Sequence, residues 1–298
     1  MHLDFIIYNL MNKEKKMIRE FSIEDKEQLV KIVKQGIMID EEDINFITDN
    51  SNKIIVFDDI EAGILGCSTF RIWEKDNNKA DIYTYVVPRS RRKGIGTLLY
   101  QEIMKNVDDI DLEFVSTRIK VDKDDATSFY KKSGYEKWYG DLKLYYHGAK
   151  QPNSDLKFVH YEDKYFEQYA EGLRTSFYEL RSANDFQPYF CCELNEEKRK
   201  EFLDKKNNLF LLLDNEKLIA SVIVYNNGII DDVYVLPCYQ GKGYGKKIMQ
   251  FAINKALRNE NKHISIGAID WNIRALNLYK SLGFDVVQTT QCYRLFKA

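Results

Sequence analysis

"VLPCYQGKGYGKKI", residues 235–248, runs from an apolar stretch into Pro237, places glycines at 241, 243 and 245, and sets lysines at 242, 246 and 247. A strand that stops at a proline and turns through glycines into a helix leaves backbone N–H groups bare at that helix's N-terminus. Those groups, the positive end of the helix dipole and the lysines favour an anion. Glycine permits the close backbone approach and the positive φ that such a cradle needs. The stretch reads as a cradle for a pyrophosphate. Taken alone it is ambiguous, because ordinary strand-to-helix turns contain glycines too.

Its duplicate decides the matter. Pro88, Lys93, Gly94 and Gly96 precede Pro237, Lys242, Gly243 and Gly245 by 149 positions each. The register then continues without a gap: Ala126 falls on Ala275, Tyr130 on Tyr279, Lys131 on Lys280 and Gly134 on Gly283. A fixed offset held over this distance is the mark of an internal repeat. Two other phosphate loops fail on spacing. Neither copy supplies G-x-x-x-x-G-K-[ST], and a dinucleotide fingerprint needs a third glycine where Leu99 and Ile248 stand.

The chain of 298 residues is therefore expected to form two domains, 17–148 and 155–298, joined by the small and polar "HGAKQPNSD" (His147 to Asp155), with residues 1–16 as an N-terminal extension. Each copy reads alike: an alternating first strand, an amphipathic helix, paired strands, a buried-looking strand running into the proline, a helix after the glycines, a strand, and a helix carrying the shared tyrosine. The expected fold class is α/β in its mixed α+β form, two tandem units that each have a central mixed β-sheet flanked by helices.

Composition narrows the function classes. Hydrophobic residues at 44% and charged residues at 30% describe a globular chain. A net charge of −2 gives no overall attraction to nucleic acid or an anionic membrane, so "RSRRK" (Arg89 to Lys93) is read as serving a small anion. The apolar run Phe5 to Met11 is too short to span a bilayer and wrongly flanked for a signal peptide. Five cysteines without C-x-x-C spacing suit reduced thiols and a cytoplasmic setting, and the four scattered histidines give no metal site. A homodimer is compatible with the sequence, which does not fix the oligomeric state.

Gln240-Gly241-Lys242-Gly243-Tyr244-Gly245 and Arg91-Arg92-Lys93-Gly94-Ile95-Gly96 resemble the [QR]-x-x-G-x-[GA] signature of the GCN5-related N-acetyltransferases, the GNAT family. "NIRALNLYKSLGF" (Asn272 to Phe284) resembles that family's downstream segment, N-x-x-A-x-x-x-Y-x-x-x-G-F. The resemblance covers both halves and makes the chain a tandem member. It implies acetyl-CoA as cofactor and direct transfer of acetyl to a primary amine on a small molecule or peptide. In the second copy it implies that Val233, Tyr234 and Val235 hold the pantetheine arm against strand backbone. Gln240, Gly241, Lys242, Gly243, Tyr244, Gly245 and Lys246 would hold the pyrophosphate, with Asn272 beside the cofactor. In the first copy the matching residues are Thr84, Tyr85 and Val86, then Arg91, Arg92, Lys93, Gly94, Ile95, Gly96 and Thr97, with Tyr130.

For the chemistry, the resemblance places the hydroxyl of Tyr279 near the CoA sulfur, and a phenol of reference pKa about 10 keeps a proton to give to a thiolate of about 8.5. Tyr279 reads equally as a core tyrosine of an amphipathic helix. Asp232, on the strand feeding the cofactor turn, is the candidate base or amine-binding carboxylate; regular alternation puts Asp231 on the opposite face, and a bulge would exchange the two. A solvated strand end is the plain alternative. The first copy has Ile82 and Tyr83 at these positions and Lys123 where the second has Asn272, so catalysis is expected in the second copy alone. The segment Arg181 to Phe202 either shapes an acceptor pocket or simply connects elements. A non-catalytic acyl-CoA-binding sensor or scaffold is the competing reading, and loss of Asn272, Tyr279 and the acidic strand would mark it.

Overall fold

The computed structural model describes residues 16–35, 41–49, 52–73, 76–122, 126–258 and 263–297. The expected extension is therefore, up to residue 15, outside the described residues, and so is Lys123. Two compact units emerge, one of Met1–Trp138 with Thr290–Ala298, the other of Tyr139–Thr289. The first contains β1 (Lys16–Glu20), α1 (Lys26–Gln35), α2 (Glu41–Thr48), β2 (Lys53–Asp59), β3 (Gly63–Trp73), β4 (Asp76–Val86), α3 (Ile95–Asp108), β5 (Phe114–Lys120) and α4 (Thr127–Lys132). The chain leaves it along β6 (Glu136–Tyr146). The second contains β7 (Phe158–His160), α5 (Phe166–Ala183), α6 (Glu196–Lys205), β8 (Leu209–Asp214), β9 (Lys217–Val224), β10 (Ile229–Val235), α7 (Tyr244–Leu257), β11 (Ser265–Ile269) and α8 (Ile273–Leu282). Strand β12 (Phe284–Phe296) returns to the first unit from Thr290 onward.

The two sheets are built on one plan. The first unit orders its strands β1-β2-β3-β4-β5-β12 and the second β7-β8-β9-β10-β11-β6. In each, one pair is parallel, β4 with β5 and β10 with β11, and the other pairs are antiparallel. The parallel pair follows from a helical crossover, α3 or α7, between its strands. The sequence boundaries 17–148 and 155–298 and the compact units divide the chain differently at β6 and β12. Asp141–Tyr145 of β6 pair with β11, and Thr290–Phe296 of β12 pair with β5. A 149-residue register cannot reveal this, because a last strand carries the same pattern whichever sheet it joins.

The second unit's sheet is covered on both faces, which explains why "LFLLL" shows no alternation in sequence. Phe210 and Leu212 pack with Ile248, Met249 and Ile253 of α7 and with Leu276 of α8. Their neighbours Leu209 and Leu211 point the other way, to Tyr169 and Leu173 of α5 and Phe202 of α6. The period-2 pleat thus feeds two cores from one apolar run. In the first unit, Leu29 and Val33 of α1 and Leu99 and Ile103 of α3 pack with Val56, Ile64 and Ile82 of the sheet. Among the described residues no helix is long and apolar enough to cross a membrane.

Candidate active site

The parallel strands separate where the glycine turns begin. β10 and β11 are in register only at Ile229↔Ser265 and Ile230↔Ile266, although β10 runs on to Val235 and β11 to Ile269. β4 and β5 pair only as far as Asp81↔Ser116 while β4 continues to Val86. Each opening bares strand backbone that a ligand's amides can satisfy.

Past the opening the chain makes a short 3-10 turn at Pro237–Tyr239, and α7 starts behind Gly243, whose φ is 85°. Gly241 has a φ of 77°. A Cβ on either glycine would meet nothing within 4 Å, so glycine is held there by backbone conformation, facing open space. The first i→i−4 bond of α7 runs from the Lys247 N–H to the Gly243 carbonyl at 3.3 Å. The amides of residues 244–246 precede it and lie outside the helical ladder. Lys246 and Lys242 are exposed beside them, Lys242 with its ammonium 5.3 Å from the Tyr239 ring centre. Lys247 instead pairs with Asp155 at 2.8 Å. This cradle of amides and cations fits a diphosphate.

The first unit repeats the device. The Leu98 N–H meets the Gly94 carbonyl at 3.0 Å, Gly94 has a φ of 84°, and Arg92 takes the left-handed conformation of Gly241 with a φ of 60°. The shared [QR] position has a local job. Gln240 Nε2 donates to the Val235 carbonyl at 2.9 Å, and Arg91 Nε donates to the Val86 carbonyl at 2.8 Å, so each side chain ties its turn to the strand just left. Lys93 and Thr97 are exposed, Gly96 is part-buried, and Ile95 is buried and offers the turn only its backbone.

A cavity of about 540 Å³ opens in the second unit, and Asp231, Asp232, Val233, Asn272 and Tyr279 all line it. One expectation meets a difference here. Regular alternation would separate the two aspartates and a bulge would exchange them; the β9–β10 register does shift between Asp231 and Tyr234, Asp232 has a φ of 43°, and neither aspartate is turned away. That bulge turns both carboxylates to the cavity. β4 carries no such shift at Ile82 and Tyr83. Tyr234 sends its side chain the other way: its hydroxyl donates to the Tyr169 carbonyl at 3.1 Å, and a Cβ on Gly172 would lie 2.6 Å from that hydroxyl. Tyr85 does the same to the Ile32 carbonyl at 3.0 Å. Both tyrosines therefore offer the groove backbone only, flanked in the second unit by part-buried Val233 and Val235.

Burial pushes the Asp232 carboxyl up to about 6, helped by the Asp231 and Glu201 charges and opposed by Lys205 and Lys198. Tyr279 is 6% exposed; burial first, then the Asp231 charge, raises its phenol far above the ordinary value. Val233 and Ile266 share the cavity wall with it, and their side chains carry no hydrogen-bonding group. The counterparts 149 positions earlier are Thr84 and Thr117. Burial also raises the Tyr130 phenol, and these two threonines beside its hydroxyl act against that rise. Tyr130 is 3% exposed and packs on Tyr100, Phe129 and Tyr135. Asn272 caps α8, its Oδ1 accepting from the Ala275 N–H at 3.1 Å, a local reason for the Asn-x-x-Ala spacing. Arg274 Nη1 ties this cap to the cofactor turn, donating to Gln240 Oε1 at 2.6 Å.

Of the two readings of Arg181 to Phe202, the pocket-shaping one meets this cavity, since Arg181, Cys191, Lys198 and Glu201 line it; the individual residues of the helix and Lys205 were not singled out from sequence. Helix α6 supplies Lys198, Glu201 and Lys205, with Glu201 bridging both lysines at 2.6 Å. Its signal was present: Asn195 accepts from the Lys198 N–H at 2.9 Å, and two glutamates fill the first turn. Asp141 also lines this cavity, although the sequence boundaries assign it to the first half.

The family model described as the acetyltransferase (GNAT) family matches residues 16–135 and 171–284. A thialysine N-epsilon-acetyltransferase of Mus musculus is 40% identical over 65 residues, 22% of this chain and 38% of that protein. An L-amino acid N-acyltransferase of Escherichia coli (strain K12) is 38% identical over 63 residues, 21% of this chain and 36% of that protein. The chain thus spans 38% and 36% of the length of these two relatives. Among solved structures, a GCN5-related N-acetyltransferase from Sphaerobacter thermophilus has a TM-score of 0.70 at 13% identity, over 95% of this chain and 96% of that one. A tandem GNAT protein from the clavulanic acid biosynthesis pathway has a TM-score of 0.61 at 13% identity, over 94% and 98%. At such identities the likeness is one of fold.

Proposed function

The chain belongs to the acetyltransferase (GNAT) family, and from that premise we propose that its second unit carries an acetyl-CoA-dependent N-acetyltransferase site acting directly on a primary amine. When bound, acetyl-CoA supplies the acetyl group as a thioester. The amides of residues 241–246, with Lys242 and Lys246, bind its diphosphate. The bare edge of Val233, Tyr234 and Val235 takes the amides of the pantetheine arm. Asp232 accepts a proton from the acceptor ammonium, a transfer made less uphill by a carboxyl pKa of about 6 than by an ordinary aspartate. Tyr279 holds its proton at any working pH and gives it to the departing sulfur.

The observation that carries this reading is the bulge in β10, which brings two carboxylates to the same cavity as a protonated phenol and has no counterpart in β4. That both curated relatives are named for transfer to nitrogen supports an amine acceptor. Thiol release from acetyl-CoA across a panel of small and peptide amines tests it. Turnover is expected, and cofactor binding without turnover on any amine would favour the sensor reading instead. For the first unit a binding-only role is the better reading, because Tyr130 has Thr84 and Thr117 beside its hydroxyl and no acidic bulge accompanies it. Titration of cofactor stoichiometry separates one working site from two.

A further inference from the structure

The charges around the cavity do not all cancel. Lys198, Glu201 and Lys205 form a closed bridge. What remains on one side is Asp231 and Asp232, which have no ion pair among the described residues, with Asp141 lining the same cavity. Asp231 does accept, through Oδ1, from the Asp232 N–H at 2.9 Å. What remains on the other is Arg181, in the last turn of α5. Its Nε donates to the Pro188 carbonyl at 2.7 Å and its guanidinium lies 4.4 Å from the Phe186 ring centre. Those contacts fix the plane of the fork, and among the described residues no carboxylate pairs with it. Burial lowers its pKa, and only the weaker fields of Cys191 and Tyr139 oppose this.

A half-buried cation without a counter-anion costs free energy that an anionic ligand recovers, and a planar fork suits a carboxylate bidentately. Cys191, also on the cavity wall, feels both Arg181 and Asp232, so the two free charges flank one space. Leu173, Phe177 and Leu180 line the same cavity, a surface for a carbon skeleton.

We propose that the acceptor is a free amino acid, its amine held at Asp231 and Asp232 and its carboxylate by the outer nitrogens of Arg181. This rests on the transferase reading above and names the acceptor class of that same site. Arg181 binds the acceptor and takes no part in the proton transfers.

The test pairs amino acids with their decarboxylated amines, lysine with cadaverine and leucine with isoamylamine, as acceptors for the full chain with acetyl-CoA. The amino acid should be preferred by at least about tenfold in kcat/KM, the selectivity of one charged hydrogen-bonded group. Arg181→Met should lower kcat/KM for the amino acid by a similar factor, chiefly through KM, leave the amine's value and the acetyl-CoA Kd unchanged, and be partly rescued by Arg181→Lys. Carboxylates lacking the amine, such as 4-methylpentanoate, should compete with the acceptor in the unaltered protein, a readout that needs no variant to fold. Turnover of the amines equal to or better than that of the amino acids would overturn the proposal and leave the transferase reading intact. A loss of acetyl-CoA affinity in Arg181→Met, with acceptor preference unchanged, would also overturn it by assigning the arginine to the cofactor. Absence of thiol release with every acceptor would overturn both.

Discussion

Tyr279 and Tyr130 occupy matching positions, yet one looks across a cavity wall of Val233 and Ile266 and the other has Thr84 and Thr117 beside its oxygen. Only the second has side-chain hydroxyls from those two strand positions beside it. Tyr279→Phe is accordingly expected to slow acetyl transfer by at least about tenfold with little change in acetyl-CoA affinity, as for loss of one general acid; Tyr130→Phe should change turnover much less, and thiol-release kinetics on both variants check this. Asp232 makes a second, separable prediction. As a base it works deprotonated, so kcat/KM should climb as pH rises through about 6, and Asp232→Asn should remove that limb of the profile. Stability moves the opposite way. The folded protein keeps this proton up to about 6 whereas an ordinary aspartate releases it near 3.8, so folding loses stability between those values and the whole cost is present above 6. Thermal melts of Asp232→Asn should therefore show a higher Tm than the parent well above pH 6 and no gain below 3.8.

At the scale of elements, the glycine turn and the splayed strands work as one device. The bare strand edge ends at Val235, and Gln240, hydrogen-bonded to the Val235 carbonyl, sets where the helix's bare amides begin. Gly243 is the point at which side-chain chemistry is excluded by backbone geometry, since a left-handed residue with a Cβ costs roughly 1–2 kcal/mol. Gly243→Ala should move the first turn of α7 and raise the acetyl-CoA Kd by several-fold, read by calorimetry, while near-ultraviolet circular dichroism of the aromatic core stays unchanged. That this turn has the makings of an anion cradle was legible in the residues once the duplicate repeated its glycine and lysine spacing. The role of β10 was not. A bulge is set by pairing with β9, and nothing in "IIDDVYV" says which of its two aspartates faces inward.

For the whole molecule, the compact units mean that a cut at the apparent joint severs hydrogen-bonded strands. Without Thr290–Phe296 the strand β5 loses a partner, and without Asp141–Tyr145 so does β11. Separate expression of residues 17–148 and 155–298 should give pieces less stable than the intact chain and prone to associate through bare strand edges, measured by hydrogen exchange and sedimentation. Independent folding of both pieces with parent-like protection of β5 and β11 would contradict this. By itself the sequence determined the duplication, the mixed sheet with helices, and the glycine turns between strand and helix, since repeat register, apolar periodicity and glycine chemistry are local and act wherever the segment lies. Tertiary structure alone decided that Asp141 of the first half lines the second unit's cavity and that both aspartates turn inward, and it chose between the two readings of Arg181 to Phe202. Those facts depend on pairing between residues more than a hundred positions apart or on a bulge imposed by a neighbouring strand, and a linear pattern records neither.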